Sequence, residues 1–207
     1  MKKPANSKKP AGTAKKKTAT KKATGKAPAK AAVSLTERWK ELTDWLGKNE
    51  PAALKQFNRP ASAKAIAAAE KALGRTLPDD YKRFLAMHNG QDTGGPMVES
   101  ATLLRVQEIA ARHKRLSKLE AGEDEESEYD TDNKVKGVFY SPGWIPIGCS
   151  PRGRDFLCLD FDPAKGGKPG QVILFVIDFN ERFQVAPSFA ELLTVFLKEA
   201  KAGEIDF

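Results

Sequence analysis

Leu77-Pro-Asp-Asp-Tyr-Lys-Arg-Phe-Leu-Ala-Met-His-Asn-Gly90 carries its own start and stop. Pro78 suits the first position of a helix, and Asp79 and Asp80 place negative charge where the helix dipole favours it. Tyr81, Phe84, Leu85 and His88 fall on one face, and Asn89-Gly90 closes the element. A second block, Gly143-Trp-Ile-Pro-Ile-Gly148 running into Gly153-Arg-Asp-Phe-Leu-Cys-Leu-Asp-Phe-Asp-Pro163, reads as strand, glycine turn and strand. Pro146 fits such a strand only at an edge or a bulge.

Downstream, Pro163-Ala-Lys-Gly-Gly-Lys-Pro-Gly170 has the composition of a hairpin loop. Residues 172–179 form a nearly continuous apolar run, which predicts a central strand covered on both faces. Residues 182–185 predict a last short strand. Ser188 then caps a helix with Phe189, Leu192, Leu193, Phe196 and Leu197 on its buried stripe. Upstream, Leu35, Trp39, Leu42, Trp45 and Leu46 recur at helical spacing, with Gly47 as the expected stop. Residues 51–60 read as a connection. Ser62 caps an Ala-rich helix ended by Gly74, and residues 91–96 read as a loop. Residues 103–119 read as one further helix, with a basic patch from Arg112 to Arg115. Helices first, then strands, then a helix give an α+β fold: N-terminal helices packed on an antiparallel-rich mixed sheet with a closing C-terminal helix.

The charge is unevenly placed. Residues 1–32 hold eleven lysines and no acid, more than the formal +8 of the whole 207-residue chain, so residues 33–207 are net −3. The chain divides by composition into a basic tail, 1–32, and a folded domain, 33–207. The tail offers nothing large and apolar to offset the entropy of ordering, so disorder is expected there. Its composition is similar to the Lys/Ala/Pro-rich tails of linker histones and bacterial histone-like proteins. Lys15, Lys16, Lys17, Lys21 and Lys22 are its candidate phosphate contacts, and this alternative makes the chain a nucleic-acid-associated protein. The tail lacks arginines and aromatics, so any such binding would be indifferent to sequence. Residues 123–130 include six acids and read as a solvated loop. Cys149 and Cys158 have neither disulfide-framework nor zinc spacing and read as reduced, buried thiols. No apolar stretch approaches the length of a membrane span, and no hydrophobic core of a secretory signal is present, so a cytoplasmic protein is expected.

Little in the chain resembles catalytic machinery. Asp155, Asp160 and Asp162 are the clustered carboxylates on structured segments, and alternation puts Asp160 and Asp162 on one face. Such a pair can share a proton or hold a divalent cation, yet no nucleophile with an adjacent base accompanies it. His88 reads as a packing residue beside a helix end, and His113 lies in a charged helix. The glycines form no phosphate loop, since Gly166-Gly167-Lys168 runs into Pro169. The expectation is no enzyme, no cofactor and no bound metal.

These motifs, in this order over roughly residues 60–200, resemble the SUKH superfamily (the Smi/Knr-like domain). The resemblance rests on Leu77, Pro78, Tyr81, Phe84, Leu85, Asn89 and Gly90, then on Trp144, Pro146, Ile147, Gly153, Asp155, Asp160, Asp162 and Pro163. The pattern often has Gly and Asp adjacent, and here Arg154 separates them. The resemblance implies a binding module: fungal members are regulators, and bacterial members are immunity proteins that bind and neutralise a partner such as a cognate toxin. On that reading the partner-binding residues are Trp144, Asp155, Asp160 and Asp162, which would equally serve strand packing and turn formation.

Overall fold

In a computed structural model of the chain, residues 34–92, 97–119, 129, 131–179 and 181–207 are described. Helix α1 (Leu35–Asn49) starts at a capping box, in which the Ser34 hydroxyl accepts from the Glu37 amide and the Glu37 carboxylate accepts from the Ser34 amide. The helix runs through Gly47, where a stop was expected, because Pro51 is the stronger punctuator. The residue before that proline, Glu50, is forced out of helical geometry (φ −135°, ψ 63°). Within the expected connection Pro51 then starts a single turn, α2 (Pro51–Leu54).

Helix α3 (Ala63–Leu73) is capped by the Ser62 side chain and closed by Gly74 at φ 63°. Helix α4 (Asp79–Met87) buries Tyr81, Phe84 and Leu85, with Pro78 at its cap position. Asp80 reaches across the fold to accept the Ala190 amide at 2.9 Å, tying the start of α4 to the start of the last helix. Asn89-Gly90 does more than close α4. The Asn89 Oδ1 accepts the Val106 amide at 2.8 Å and so caps α5 (Val106–Leu116). Helix α5 begins three residues later than expected because Thr102–Leu103 is strand β1.

The sheet has the order β1-β2-β3-β4-β5, with β2 Trp144–Cys149, β3 Asp155–Asp160, β4 Gln171–Val176 and β5 Arg182–Ala186. All four pairings are antiparallel. Among the described residues the parallel contact is an isolated bridge, Thr131 to Arg182. Strand β2 lies inside the sheet, and a register shift between Pro146 and Gly148 accommodates its proline as a bulge. Strand β4 stops at Val176, earlier than its apolar run suggested, and residues 177–179 turn away from it.

Helix α6 (Phe189–Ala202), capped by Ser188, packs on β4, β5 and α1, and α5 packs on β2 and α3. Arg38 of α1 donates to Thr194 and Glu191 of α6. Both sheet edges are occupied. At β1, Leu103 donates to the Gln91 side chain at 3.0 Å and accepts the Gln91 amide at 2.9 Å. At β5, the Gln184 amide donates to the Asp132 carboxylate at 3.1 Å. These contacts satisfy groups that an open edge would offer to another strand. Residues 33–207 form one compact unit. No helix of the described residues is long and apolar enough to cross a membrane.

Candidate protein-contact surface

Three of the four candidate partner-binding residues meet at one end of the sheet. Trp144 and Asp160 are register partners across β2 and β3, and both are fully buried. The Asp160 carboxylate accepts the Asp162 amide at 2.8 Å and the Gln171 side-chain amide at 2.9 Å. Gln171 also donates to the Lys134 carbonyl. Asp162 pairs with Lys136 at 2.5 Å and accepts the Ser141 hydroxyl at 2.8 Å. Gly143 is required here, since a Cβ on it would lie 2.4 Å from the Asp162 Cβ.

Burial pushes the Asp160 carboxyl up from the ordinary aspartate value, whereas the Lys136 hydrogen bond holds Asp162 below it. Both oxygens of each carboxylate are taken up by other donors, those of Asp160 by the Asp162 amide and Gln171, those of Asp162 by Lys136 and Ser141. The pair pins residues 132–143 and the β3–β4 loop to the sheet. Trp144 and Asp160 present no surface to a partner, while Asp162 keeps part of its carboxylate in solvent. Asp155 is the first residue of β3, about 17 Å from Asp160 along a six-residue strand, and the fold does not bring it to the others.

The remaining candidate groups have structural partners. The His88 ring packs on Trp39, with centroids 4.7 Å apart, and its Nδ1 lies 3.1 Å from the Asn58 carbonyl; burial lowers its pKa. His113 Nε2 lies 2.9 Å from the Pro142 carbonyl. Cys149 and Cys158 are buried free thiols, both pushed up by burial. Among the described residues no three His, Cys, Asp or Glu side chains are grouped to hold a metal ion. The candidate lysines Lys15, Lys16, Lys17, Lys21 and Lys22 lie outside the described residues, as does the acidic run 123–130 except for Tyr129.

The opposite end of the sheet carries a different construction. The β2–β3 turn and the β4–β5 turn are locked together by a two-pronged ion pair from Arg154 to Asp178 and by the Ile177 amide donating to the Arg154 carbonyl at 3.0 Å. Behind them lies Arg182, 1% exposed. Its guanidinium donates to the carbonyls of Val176 (3.2 Å), Phe179 (2.5 Å), Glu181 (2.8 Å) and Phe139 (3.1 Å). It also lies 4.9 Å from the ring centroids of both Tyr129 and Phe175. On this fixed turn Phe179 stands 63% exposed, and Val138, next to Phe139, is 37% exposed.

Sequence reading missed Phe179 because it closes an apolar run and was assigned to the strand. The available signal was local: it lies between Asp178 and Asn180, two turn-forming residues. An aromatic so placed belongs to a loop tip.

The profile of the SMI1 / KNR4 family (SUKH-1) matches residues 60–194, well over half of the chain. The chain belongs to this family. The SUKH resemblance of its motifs is thereby shown, and of the motif residues Leu77, Tyr81, Phe84, Leu85, Trp144, Ile147 and Asp160 are buried in the fold. Among similar proteins, the cell wall biosynthesis/cell cycle regulator smi1 of Schizosaccharomyces pombe is 27% identical over 186 residues, covering 82% of this chain and 37% of its own length. A glucan synthesis regulatory protein of Neurospora crassa is 24% identical, covering 80% of this chain and 38% of its own. The cell wall assembly regulator SMI1 of Saccharomyces cerevisiae is 23% identical, covering 80% and 40%. The chain thus spans less than half the length of these SMI1/KNR4 relatives.

Proposed function

We propose that this SMI1/KNR4 domain is a non-catalytic regulatory module that acts by binding a protein partner through the Phe179 end of its sheet. The observation that carries this reading is the presentation of an exposed aromatic on a turn held by a buried arginine. A large apolar side chain on a backbone already held in place spares the cost of ordering that backbone on binding, which favours a contact anchor. The regulator names of the SMI1/KNR4 relatives support regulation in preference to neutralisation of a toxin. Of the four residues first put forward as partner contacts, Asp155 lies nearest this end, since it begins β3 beside the β2–β3 turn.

The test is site-specific photocrosslinking of the full chain in its source cell, with the crosslinker at position 179 or at exposed Lys64 on α3. A discrete protein adduct from position 179 and none from position 64 is expected. If the partner is an enzyme whose activity the chain abolishes, neutralisation replaces regulation. If position 179 yields no protein adduct, this reading falls.

The eleven lysines of residues 1–32 favour a second role, tethering of the module to nucleic acid by a polycationic arm. It predicts that deleting 1–32 abolishes retention on DNA or RNA at low salt and leaves the position-179 adduct unchanged.

A further inference from the structure

We infer that the groove between α3 and α5 is a second contact surface, one that seats an acidic amphipathic helix of a protein partner. It goes beyond the Phe179 reading and does not depend on it. The groove is open, about 530 Å³ in volume, and runs along the C-terminal halves of the two helices. Its floor is Ala72 and Leu73 from α3 with Ala110 and Ala111 from α5. Leu73 and Ala110 are half-buried, whereas Ala72 and Ala111 are exposed. Side chains this short let the axis of a third helix come close, as packing a helix into a groove requires. Lys64, about two turns before Ala72, lies outside it.

Charge decides what that helix carries. His113, Lys114 and Ser117 form the α5 wall, and Lys118 lies four residues beyond Lys114 on the same side. Lys114, Arg115 and Lys118 are exposed, and none of them is ion-paired with a described residue. By contrast Arg38, Lys82, Arg105, Lys136 and Arg154 each meet an acid. The two acids of α3 and α5 are engaged elsewhere: Glu70 accepts the Leu77 amide and pairs with Lys82, and Glu108 accepts the Arg105 amide at the start of α5. Residues 33–207 are net −3, so this cluster runs against the sign of its own domain. The helix dipole favours cations in a last turn, but it does not account for an apolar floor beside them. Floor and unmatched cations together select a ligand apolar on one face and anionic on the next. A phosphate backbone would meet the cations and leave the floor uncovered, which favours a peptide over a nucleic acid.

The test is a titration of the isotope-labelled full chain, followed by amide NMR shifts, with a designed Glu/Leu amphipathic peptide about 14 residues long. A Lys/Leu peptide of the same pattern and a short DNA duplex are the comparisons. Shifts at residues 70–74 and 110–118 are expected with the Glu/Leu peptide and not with the Lys/Leu peptide. The affinity read from those shifts should fall about tenfold or more when Lys114, Arg115 and Lys118 are changed to Gln, with a flatter salt dependence. Ala111→Phe fills the exposed floor and leaves the charges in place, and it should weaken binding by about tenfold as well. All four positions are exposed, so the variants keep the fold. Shifts confined to residues 1–32 or to other surfaces, equal binding of the Lys/Leu peptide, unchanged affinity of either variant, or tighter binding of the duplex at α5 each overturns the inference.

Discussion

Asp160 and Gln171 stand opposite each other across β3 and β4, and the Gln171 side-chain amide donates to the buried Asp160 carboxylate at 2.9 Å. Its other oxygen accepts the Asp162 amide. Burial raises the carboxyl pKa in the folded chain. An acid raised in this way binds its proton more readily folded than unfolded, so its contribution to stability grows as pH falls from neutral through the folded value. The growth stops near the ordinary aspartate value, where the unfolded chain is protonated too.

Asp160→Asn removes the charge but turns one acceptor into a donor facing Gln171. We expect a loss of about 1–3 kcal/mol at neutral pH, the scale for a buried group left without its partner. The gap to wild type should widen as pH is lowered. Urea unfolding at neutral pH and at mildly acidic pH measures both effects.

Two residues away the sign reverses. Lys136 holds the Asp162 pKa down, so this carboxylate stabilises the fold above the ordinary aspartate value and loses that contribution as pH falls through its folded value. Both partners keep over 40% of their side chains exposed, so screening limits the pair to about 0.5–1 kcal/mol. Asp162→Asn should therefore cost about that much at neutral pH, and the difference should shrink in acid. Equal costs at both pH values would contradict the ion-pair account.

Gly90 and Gly153 both have positive φ, 68° and 70°, but only Gly90 is hemmed in. A Cβ on Gly90 would lie 2.5–2.6 Å from the carbonyl oxygens of Leu104 and Leu103, whereas nothing lies within 4 Å of one on Gly153. Gly153→Ala should cost about 1–2 kcal/mol, the left-handed strain alone. Gly90→Ala adds an overpacking cost of about 1–3 kcal/mol and should also shift the β1–α5 junction. Thermal unfolding of the two variants side by side separates strain from clash.

The helices were legible because capping chemistry is local. Ser34, Ser62, Ser188 and Gly74 act where their sequence context places them. Strand β1 was not legible: two residues cannot display alternation, and its pairing with Cys149 and Gly148 is set by tertiary structure. The same holds for Asn89, whose cap on α5 spans 17 residues. Trp144, Asp160 and Asp162 stood out in sequence because the fold depends on them, and that dependence buries Trp144 and Asp160. The Phe179 end left a weaker trace. Its defining residue, Arg182, reads as an ordinary strand-edge arginine until three carbonyls of the β4–β5 connection and that of the distant Phe139 are seen to converge on it.

Arg182→Lys tests that convergence directly. An ammonium keeps the charge but has one nitrogen where the guanidinium's fork reaches carbonyls on both sides, so it cannot serve Phe139 and the turn at once. Buried carbonyls would be left short of donors, at a cost of about 1–3 kcal/mol each where water does not replace them. The loss should be local in its dynamics: amide exchange should quicken at residues 177–181 and 136–139, while the core of β3 keeps its protection. Phe179→Ser supplies the contrast. Its side chain is mostly in solvent, so stability should change by less than about 0.5 kcal/mol. If Arg182→Lys left exchange at the turn unaltered, the turn would be held by its contacts with Arg154, the Asp178 ion pair foremost. Arg154→Ala should then loosen the turn where Arg182→Lys had not.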